Sequence, residues 1–159
     1  FDGVDSAAPA AGAREAIQSA DAVVICPSNP WVSIDPILRV LQSNDPSSMI
    51  HFPSSIVAVS PIIGGKTVKG PAAKMYRELG IQPSAAAVAA HYGSCLDGGL
   101  LSGFVIDRQD AAQAQAIAAS GLAVLVTETL MLDAASRRAL AQKVLDFVNK
   151  LPAPGVVVS

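Results

Sequence analysis

The sequence is short of charge. Aspartate, glutamate, lysine and arginine make up 15% of its 159 residues, and the formal net charge is −2. That balance provides no global basic field, so nucleic acid is not an expected partner. Cysteine is scarce: Cys26 and Cys95 are too few for a disulfide framework, which fits a reducing cytosol and a cytoplasmic location. Long hydrophobic runs are missing. The richest, residues 122–126, stops at Thr127-Glu128, well short of the ~18 uninterrupted apolar residues of a membrane helix, so no membrane association is expected. Neither a Gly-x-Gly-x-x-Gly fingerprint nor a P-loop occurs. His51 and His91 stand apart, without metal-ligand spacing. The opening residues show neither an initiator methionine nor the regions of a signal peptide. Phe1-Asp2-Gly3 and the Ala/Pro/Gly-rich stretch 7–13 read as the interior of a longer polypeptide.

Apolar residues are plentiful instead, at 51%, with a mean hydropathy of +0.43 to which alanine contributes much. With so little charge, this predicts parallel strands buried on both faces, or an apolar surface that meets another segment. The length suffices for one α/β domain with a real core.

Strand and helix patterns alternate along the chain. Residues 10–19 predict a helix with Ala13, Ala16 and Ile17 as its stripe. Residues 22–26 predict a strand, and 33–42 a helix with Ser33 as N-cap and Ile34, Ile37, Leu38 and Leu41 on one face. A polar loop with Pro46 and Pro53 spans 43–55, and a strand follows at 56–60. A glycine- and lysine-rich loop covers 64–69. Gly70-Pro71 then opens a helix at 72–79, with proline in its first turn and Gly80 as its C′ residue. An alanine-rich helix at 84–92, a strand at 103–107, a helix at 111–119 and a strand at 122–127 complete the alternation. The final helix, 134–150, turns Leu140, Val144, Leu145 and Val148 inward. Residues 151–159 form a tail in which 156–158 can pair as an edge strand. This order predicts right-handed βαβ units and an α/β fold with a mostly parallel sheet.

In such sheets ligands bind beyond the carboxyl ends of the strands, where three polar clusters fall. The first, Pro27-Ser28-Asn29-Pro30, lies between a strand and the helix opened by Ser33. Its side chains and free backbone N–H groups can donate hydrogen bonds to a phosphate or a base. The competing reading is a plain turn, since these are default turn residues. The second is Gly64-Gly65-Lys66 with Lys69-Gly70-Pro71: two cations on flexible backbone suit a phosphate, or simply form a solvated loop. The third is Asp107-Arg108-Gln109-Asp110, whose carboxylates could hold Mg²⁺ or orient a hydroxyl. The favoured reading makes Asp110 the N-cap of the next helix. Cys26 has no adjacent base and reads as a small core residue. Trp31 and Tyr92 read as core packing rather than the lining of a ring-shaped pocket.

Five separated motifs carry a family resemblance: Cys26-Pro-Ser-Asn-Pro30, Ser33-Ile-Asp-Pro-Ile-Leu38, Ser60-Pro-Ile-Ile-Gly-Gly-Lys66, Lys69-Gly-Pro-Ala-Ala-Lys-Met75 and Thr127-Glu-Thr-Leu-Met131. In order, over residues 7–148, the chain closely resembles the 2-phospho-L-lactate transferase family, whose bacterial members are called phosphoenolpyruvate transferases. These enzymes act in the biosynthesis of the deazaflavin coenzyme F-420. The resemblance implies a three-layer Rossmann-like fold that is incomplete in this chain. Residues 1–150 would be the C-terminal part of a single transferase domain about twice as long. The implied donor is a GDP-linked lactyl or enolpyruvyl acid. The ribityl hydroxyl of 7,8-didemethyl-8-hydroxy-5-deazariboflavin attacks its phosphorus, GMP leaves, and Mg²⁺ assists. Acidic residues for acceptor and metal belong to an N-terminal half whose glycine-rich first turn is not found here. The catalytic and metal residues are therefore not assigned. Donor binding falls to Pro27, Ser28, Asn29, Pro30, Ser33, Gly64, Gly65, Lys66 and Lys69, with the two lysines offsetting the diphosphate charge. A homodimer is also expected. The stretch 43–55, with Asp45 and His51, departs from the family pattern and reads as a specificity loop or a dimer contact.

The gluconeogenesis-factor-like proteins offer an alternative. They share a Ser-containing turn followed by Ser-Ile and Pro before a helix, and resemble nucleotide-sugar-binding regulators. The Ser-Asn-Pro turn and the run 60–75 fit the transferase better. A third possibility is an inert scaffold serving dimerisation. Preference for GDP over UDP-sugars separates the first two, and the scaffold should bind neither.

Overall fold

A computed structural model of the chain describes residues 2–42 and 55–151. The expectations for Asp45, Pro46, His51 and Pro53 and for a strand at 156–158 lie outside the described residues. A short 3-10 turn (Val4–Ser6) and helix α1 (Ala13–Gln18) precede strand β1 (Val23–Ile25). A π-type turn (Pro30–Ile34) runs directly into α2 (Asp35–Leu41). Strand β2 (Ile56–Val59) is followed by a small hairpin, β3 (Ile62–Ile63) and β4 (Lys66–Thr67). Helices α3 (Ala72–Glu78) and α4 (Ala85–Tyr92) lead to β5 (Gly103–Asp107). A 3-10 turn (Arg108–Gln113), α5 (Ala114–Ala118), β6 (Ala123–Thr127) and α6 (Ala134–Val148) complete the order. Among the described residues, no helix is long and apolar enough to cross a membrane.

The four long strands form one parallel sheet in the order β1-β2-β5-β6, so the α/β fold with a parallel sheet is observed. β2 and β5 are buried along their whole length. Their β-branched residues suit a two-sided environment, and alternate side chains feed two cores. Ile56, Ala58, Phe104 and Ile106 pack with Ala73 and Tyr76 of α3 and Val88, Ala89 and Tyr92 of α4. Val57, Val59 and Val105 face Leu140 and Val144 of α6 on the other side. Helices thus cover both faces, giving three layers of a Rossmann-like fold. Gly103 makes the second contact close: a Cβ there would lie 2.9 Å from the Phe147 ring.

Several expectations need correction. Leu145 does not point inward; it is exposed, and Phe147 packs against the sheet-side core instead. Cys26 is exposed rather than buried; it follows β1, the edge strand of the sheet among the described residues. None of the α1 residues is buried. The helical segment after β1 starts before Ser33: the Asn29 carboxamide oxygen accepts from Trp31 N at 3.0 Å and Val32 N at 3.4 Å. Asn-Pro is itself a strong cap signature, since proline has no N–H to leave unsatisfied, and Ser33 then falls inside the turn. Asp110 is likewise not the cap after β5. That role belongs to Asp107, which accepts from Gln109 N at 3.0 Å. Pro71 stands one place outside α3, in the flanking position. Residues 64–69 are not an open loop. Gly64 and Gly65, at φ +55° and +75°, form the tight turn between β3 and β4. A two-residue turn of the I′ type requires positive φ at both positions.

Tyr92 packs in the core, as expected, whereas Trp31 is half-buried: it packs against that core and also lines a hollow beside α2. Trp31 lies against Tyr76 with ring centroids 4.2 Å apart, and His91 meets both Trp31 and Tyr92 edge-on. His91 Nε2 sits 3.0 Å from Asp35 Oδ1, tying α4 to α2. Burial, followed by the Asp35 charge, pushes the Tyr76 hydroxyl up to about 12 and the Tyr92 hydroxyl higher still. These are the two tyrosines of the chain. Alkaline titration of the native protein should therefore show no tyrosinate absorbance step near the ordinary value of 10, whereas the unfolded chain should show both. Because the folded values are raised, the associated stability is complete below pH 10 and is lost as the pH rises above it. A native step near 10 would show that these hydroxyls reach water.

Candidate functional site

The carboxyl ends of the strands open into a cleft of about 290 Å³. Pro27, Ser28 and Asn29 form one wall, immediately after β1. Ser60, Pro61, Ile63, Val68, Lys69 and Ala72 form the floor and second wall, after β2 and around the hairpin. Thr129, Leu130, Met131 and Arg137 close it from the β6–α6 connection. A larger hollow of about 390 Å³ lies beside α2, lined by Trp31, Asp35 and Arg39 among others. It shares no lining residue with the cleft. The smaller cleft gathers turns from the ends of β1, β2 and β6 together with two cations, and that is where parallel sheets bind ligands.

Each wall has a local cause. Asn29 uses its whole side chain within the protein. Its oxygen caps the following turn, and its Nδ2 lies 3.2 Å from Met75 Sδ of α3. The Ser28 hydroxyl has no hydrogen-bond partner among the described residues and is available to a ligand. Ser60 is buried, and its hydroxyl is engaged with Ile62 O at 2.9 Å and Ile62 N at 3.2 Å, which turns the chain out of β2 into the hairpin. Thr67 Oγ1 donates to Gly70 O at 2.9 Å and folds the segment that carries Lys69. On the far side, Asp133 and Ser136 form a reciprocal capping box that starts α6, placing Arg137 one turn in. Among the described residues, Lys69 and Arg137 have no acidic partner.

Asp107 is fully enclosed at the end of β5. Its carboxylate accepts from Gln109 N, from Thr129 N at 2.9 Å and from Thr129 Oγ1 at 3.0 Å. Burial alone would raise its pKa. The hydrogen bonds, with the neighbouring Arg108 charge, outweigh burial and hold it below the ordinary carboxylate value. Asp110 reaches across to the hairpin, accepting from Gly64 N at 3.0 Å and Gln113 Nε2 at 2.9 Å. Both carboxylates are thus engaged internally. No group of three or more His, Cys, Asp or Glu that could hold a metal ion occurs among the described residues. Neither Asp107 nor Asp110 is therefore free to hold Mg²⁺ at this end of the sheet.

The structure therefore brings four of the nine sequence-derived candidates to one cleft: Pro27, Ser28, Asn29 and Lys69. Pro30 is buried beneath the turn, and Ser33 is exposed outside the cleft lining. Gly64, Gly65 and Lys66 sit at the hairpin tip, held by Asp110, and do not line the cleft. Sequence reasoning missed Thr129, Leu130, Met131 and Arg137. The first three lie in a motif already singled out, without a place in the site. Arg137 had a physical signal: with Arg138 it forms a basic pair near the positive end of a helix, which is unfavourable unless an anion lies close.

The model of a known family, 2-phospho-L-lactate transferase CofD, matches residues 1–145. The phosphoenolpyruvate transferase of Streptomyces griseus subsp. griseus is 38% identical over 151 residues, 95% of this chain and 46% of that protein. The phosphoenolpyruvate transferase of Thermobifida fusca is 39% identical over 149 residues, 94% of this chain and 42% of the relative. That of Mycobacterium sp. (strain KMS) is 34% identical over 128 residues, 80% of this chain and 38% of the relative. The chain spans about half the length of the curated relatives it matches. A cleft at the carboxyl ends of a parallel sheet, five ordered motifs and a match over nearly the whole length agree: the chain belongs to the 2-phospho-L-lactate transferase CofD family.

Proposed function

We propose that the cleft binds the diphosphate of a GDP-linked three-carbon donor, and that the protein transfers the phosphoenolpyruvyl or phospholactyl group to a deazaflavin acceptor in coenzyme F-420 biosynthesis, releasing GMP. One observation carries this reading. Two cations without acidic partners, Lys69 and Arg137, line the same cleft as a free Ser28 hydroxyl, in a chain of this family. A transfer at phosphorus depends on positioning and charge neutralisation rather than on a protein nucleophile. Lys69 supplies a mobile point charge and Arg137 a planar fork suited to phosphate oxygens. Ser28 donates to a third oxygen, and Leu130 and Met131 exclude water from one side. The acceptor pocket, and any magnesium beyond that carried by the donor, belong to the half of the relatives' length that this chain does not cover. A cytoplasmic homodimer is part of the same proposal.

Substitutions at the β1 turn separate binding from folding. Ser28→Ala should weaken GDP binding by ~10-fold, as for a lost hydrogen bond to a charged group, with an unchanged melting temperature. Asn29→Ala should instead cost ~1 kcal/mol of stability through the lost cap. Lys66→Ala should leave the GDP dissociation constant within about twofold of wild type, since Lys66 lies outside the cleft lining. Calorimetric titration and thermal melts on the native polypeptide check all three. Tighter binding of a UDP-sugar than of GDP would replace this reading with the nucleotide-sugar-binding regulator. Binding of neither would leave a scaffold.

A further inference from the structure

We propose that Asp107 is a positioning residue for the cleft: by holding Thr129, it sets the Thr129–Met131 wall that the bound donor meets. The proposal rests on the reading that this cleft takes the donor, and it adds a residue that does not itself line the cleft. Asp107 and Thr129 are 2% and 4% exposed, so the pair is shielded from water. A single carboxylate oxygen, Oδ2, accepts both the Thr129 backbone N–H and the Thr129 hydroxyl, while Oδ1 accepts from Gln109 N. Twenty-two residues separate the partners. The pair therefore fastens the β6–α6 connection to the end of the neighbouring strand rather than shaping a local turn.

The connection has other ties, but they lie at its margins. Arg108 and Glu128 meet at 3.2 Å with both side chains largely in solvent, and such a pair contributes little. Lys143 Nζ donates to Thr127 Oγ1 at 2.9 Å, before the connection leaves the sheet. Asp133 and Ser136 fix the start of α6, after it. Between these points Leu130 and Met131 are each more than a third exposed and line the cleft. Thr129 is the buried residue that holds them down.

The chemistry calls for a carboxylate. Three donors converge on two oxygens, and an ionised Asp offers acceptors only. An amide at 107 would turn an NH₂ group toward either Gln109 N–H or the two Thr129 donors, leaving buried donors facing each other. An ordinary strand-end cap would need only the Gln109 contact. The bonds to Thr129 are the part that the cap does not explain.

The test uses the native polypeptide with the variants Asp107→Asn, Thr129→Val and Thr129→Ser, with GDP as probe. Asp107→Asn and Thr129→Val should each raise the GDP dissociation constant by ~10-fold, and their effects should not add when combined, because both break the same link. Thr129→Ser keeps the hydroxyl and should restore near-wild-type affinity. Hydrogen exchange over residues 129–133 should accelerate in the first two variants while β2 and β5 stay protected. Should either variant prove too unstable for titration, the exchange pattern of the other decides. Lowered melting temperatures with GDP affinity within twofold of wild type and unchanged exchange at 129–133 would reduce Asp107 to a structural staple. If the wild type binds no GDP, the donor reading fails on its own, and the exchange data still show whether Asp107 holds this wall in place.

Discussion

Replacing Lys69 and Arg137 together by alanine is expected to weaken GDP binding by ~100-fold or more. Each cation should contribute ~1.5 kcal/mol as a charge-assisted contact to phosphate, which is ~10-fold per residue. They come from different elements, one before α3 and the other on α6, so their losses should be close to additive. Neither has an acidic partner among the described residues, and both side chains are exposed, so folding should be almost untouched. The residual binding should also respond less to salt, since a screened attraction has been removed. Calorimetric titrations at two ionic strengths read both effects. Wild-type affinity in the double variant would show that the two cations form a solvated rim and that the diphosphate lies elsewhere.

The second large effect is on the scaffold. Phe104, the second residue of β5, is fully buried and paired in register with Ala58 of β2 and Val124 of β6. Phe104→Ala should destabilise the fold by ~3–5 kcal/mol, combining lost transfer free energy with a cavity that the flanking strands cannot collapse. That is a large part of the ~5–15 kcal/mol by which a typical domain is stable. Chemical denaturation should show a lower midpoint with little change in slope, since the same surface is exposed on unfolding. A loss below about 1 kcal/mol would mean that the core around β5 repacks freely. The three-layer arrangement would then not be what fixes the strand ends.

The sequence made the sheet legible because two signals agreed. The stretches 56–60 and 103–107 are short and mostly apolar with several β-branched residues, and the apolar faces of α3, α4 and α6 cover them. The end of α3 was equally plain. Gly80, at φ +73°, donates to Arg77 O, and Ile81 N reaches back to Tyr76 O, the paired bonds of a glycine C′ motif. The misread starts share one cause. Ser33 and Asp110 are both good caps by type, but Asn29 and Asp107 lie one turn earlier, and the earlier cap determines where the helical turn begins. The hairpin at 62–67 is too short for alternation to show, and only Gly64-Gly65 marked it. Gly99 gave no sign of its tight packing. A Cβ there would come within 2.4 Å of the Gly93 backbone, a contact that depends on how the chain returns between α4 and β5.

The site was legible by half. The turn after β1 could be read because polar residues end an apolar run there. Lys69 could be read as a cation near a strand end, but nothing local distinguished it from Lys66. The hairpin separates them, turning one into the cleft and the other to its tip. Arg137 was hidden for a different reason. It lies 68 positions after Lys69, and it lines the same cleft only because β6 returns to the sheet and α6 starts beside the strand ends. The Asp107–Thr129 pair belongs to the same class: ordinary residues whose meaning comes from strand adjacency.

The most direct test is a crystal structure of the native polypeptide with GDP bound. The diphosphate is expected in the cleft between Ser28, Lys69 and Arg137, with phosphate oxygens within hydrogen-bond distance of both cations and Leu130 and Met131 against the ligand. Density for the diphosphate in the hollow beside Trp31 and Arg39, or at the hairpin tip by Lys66, with the strand-end cleft vacant, would contradict the assignment of this cleft as the donor site.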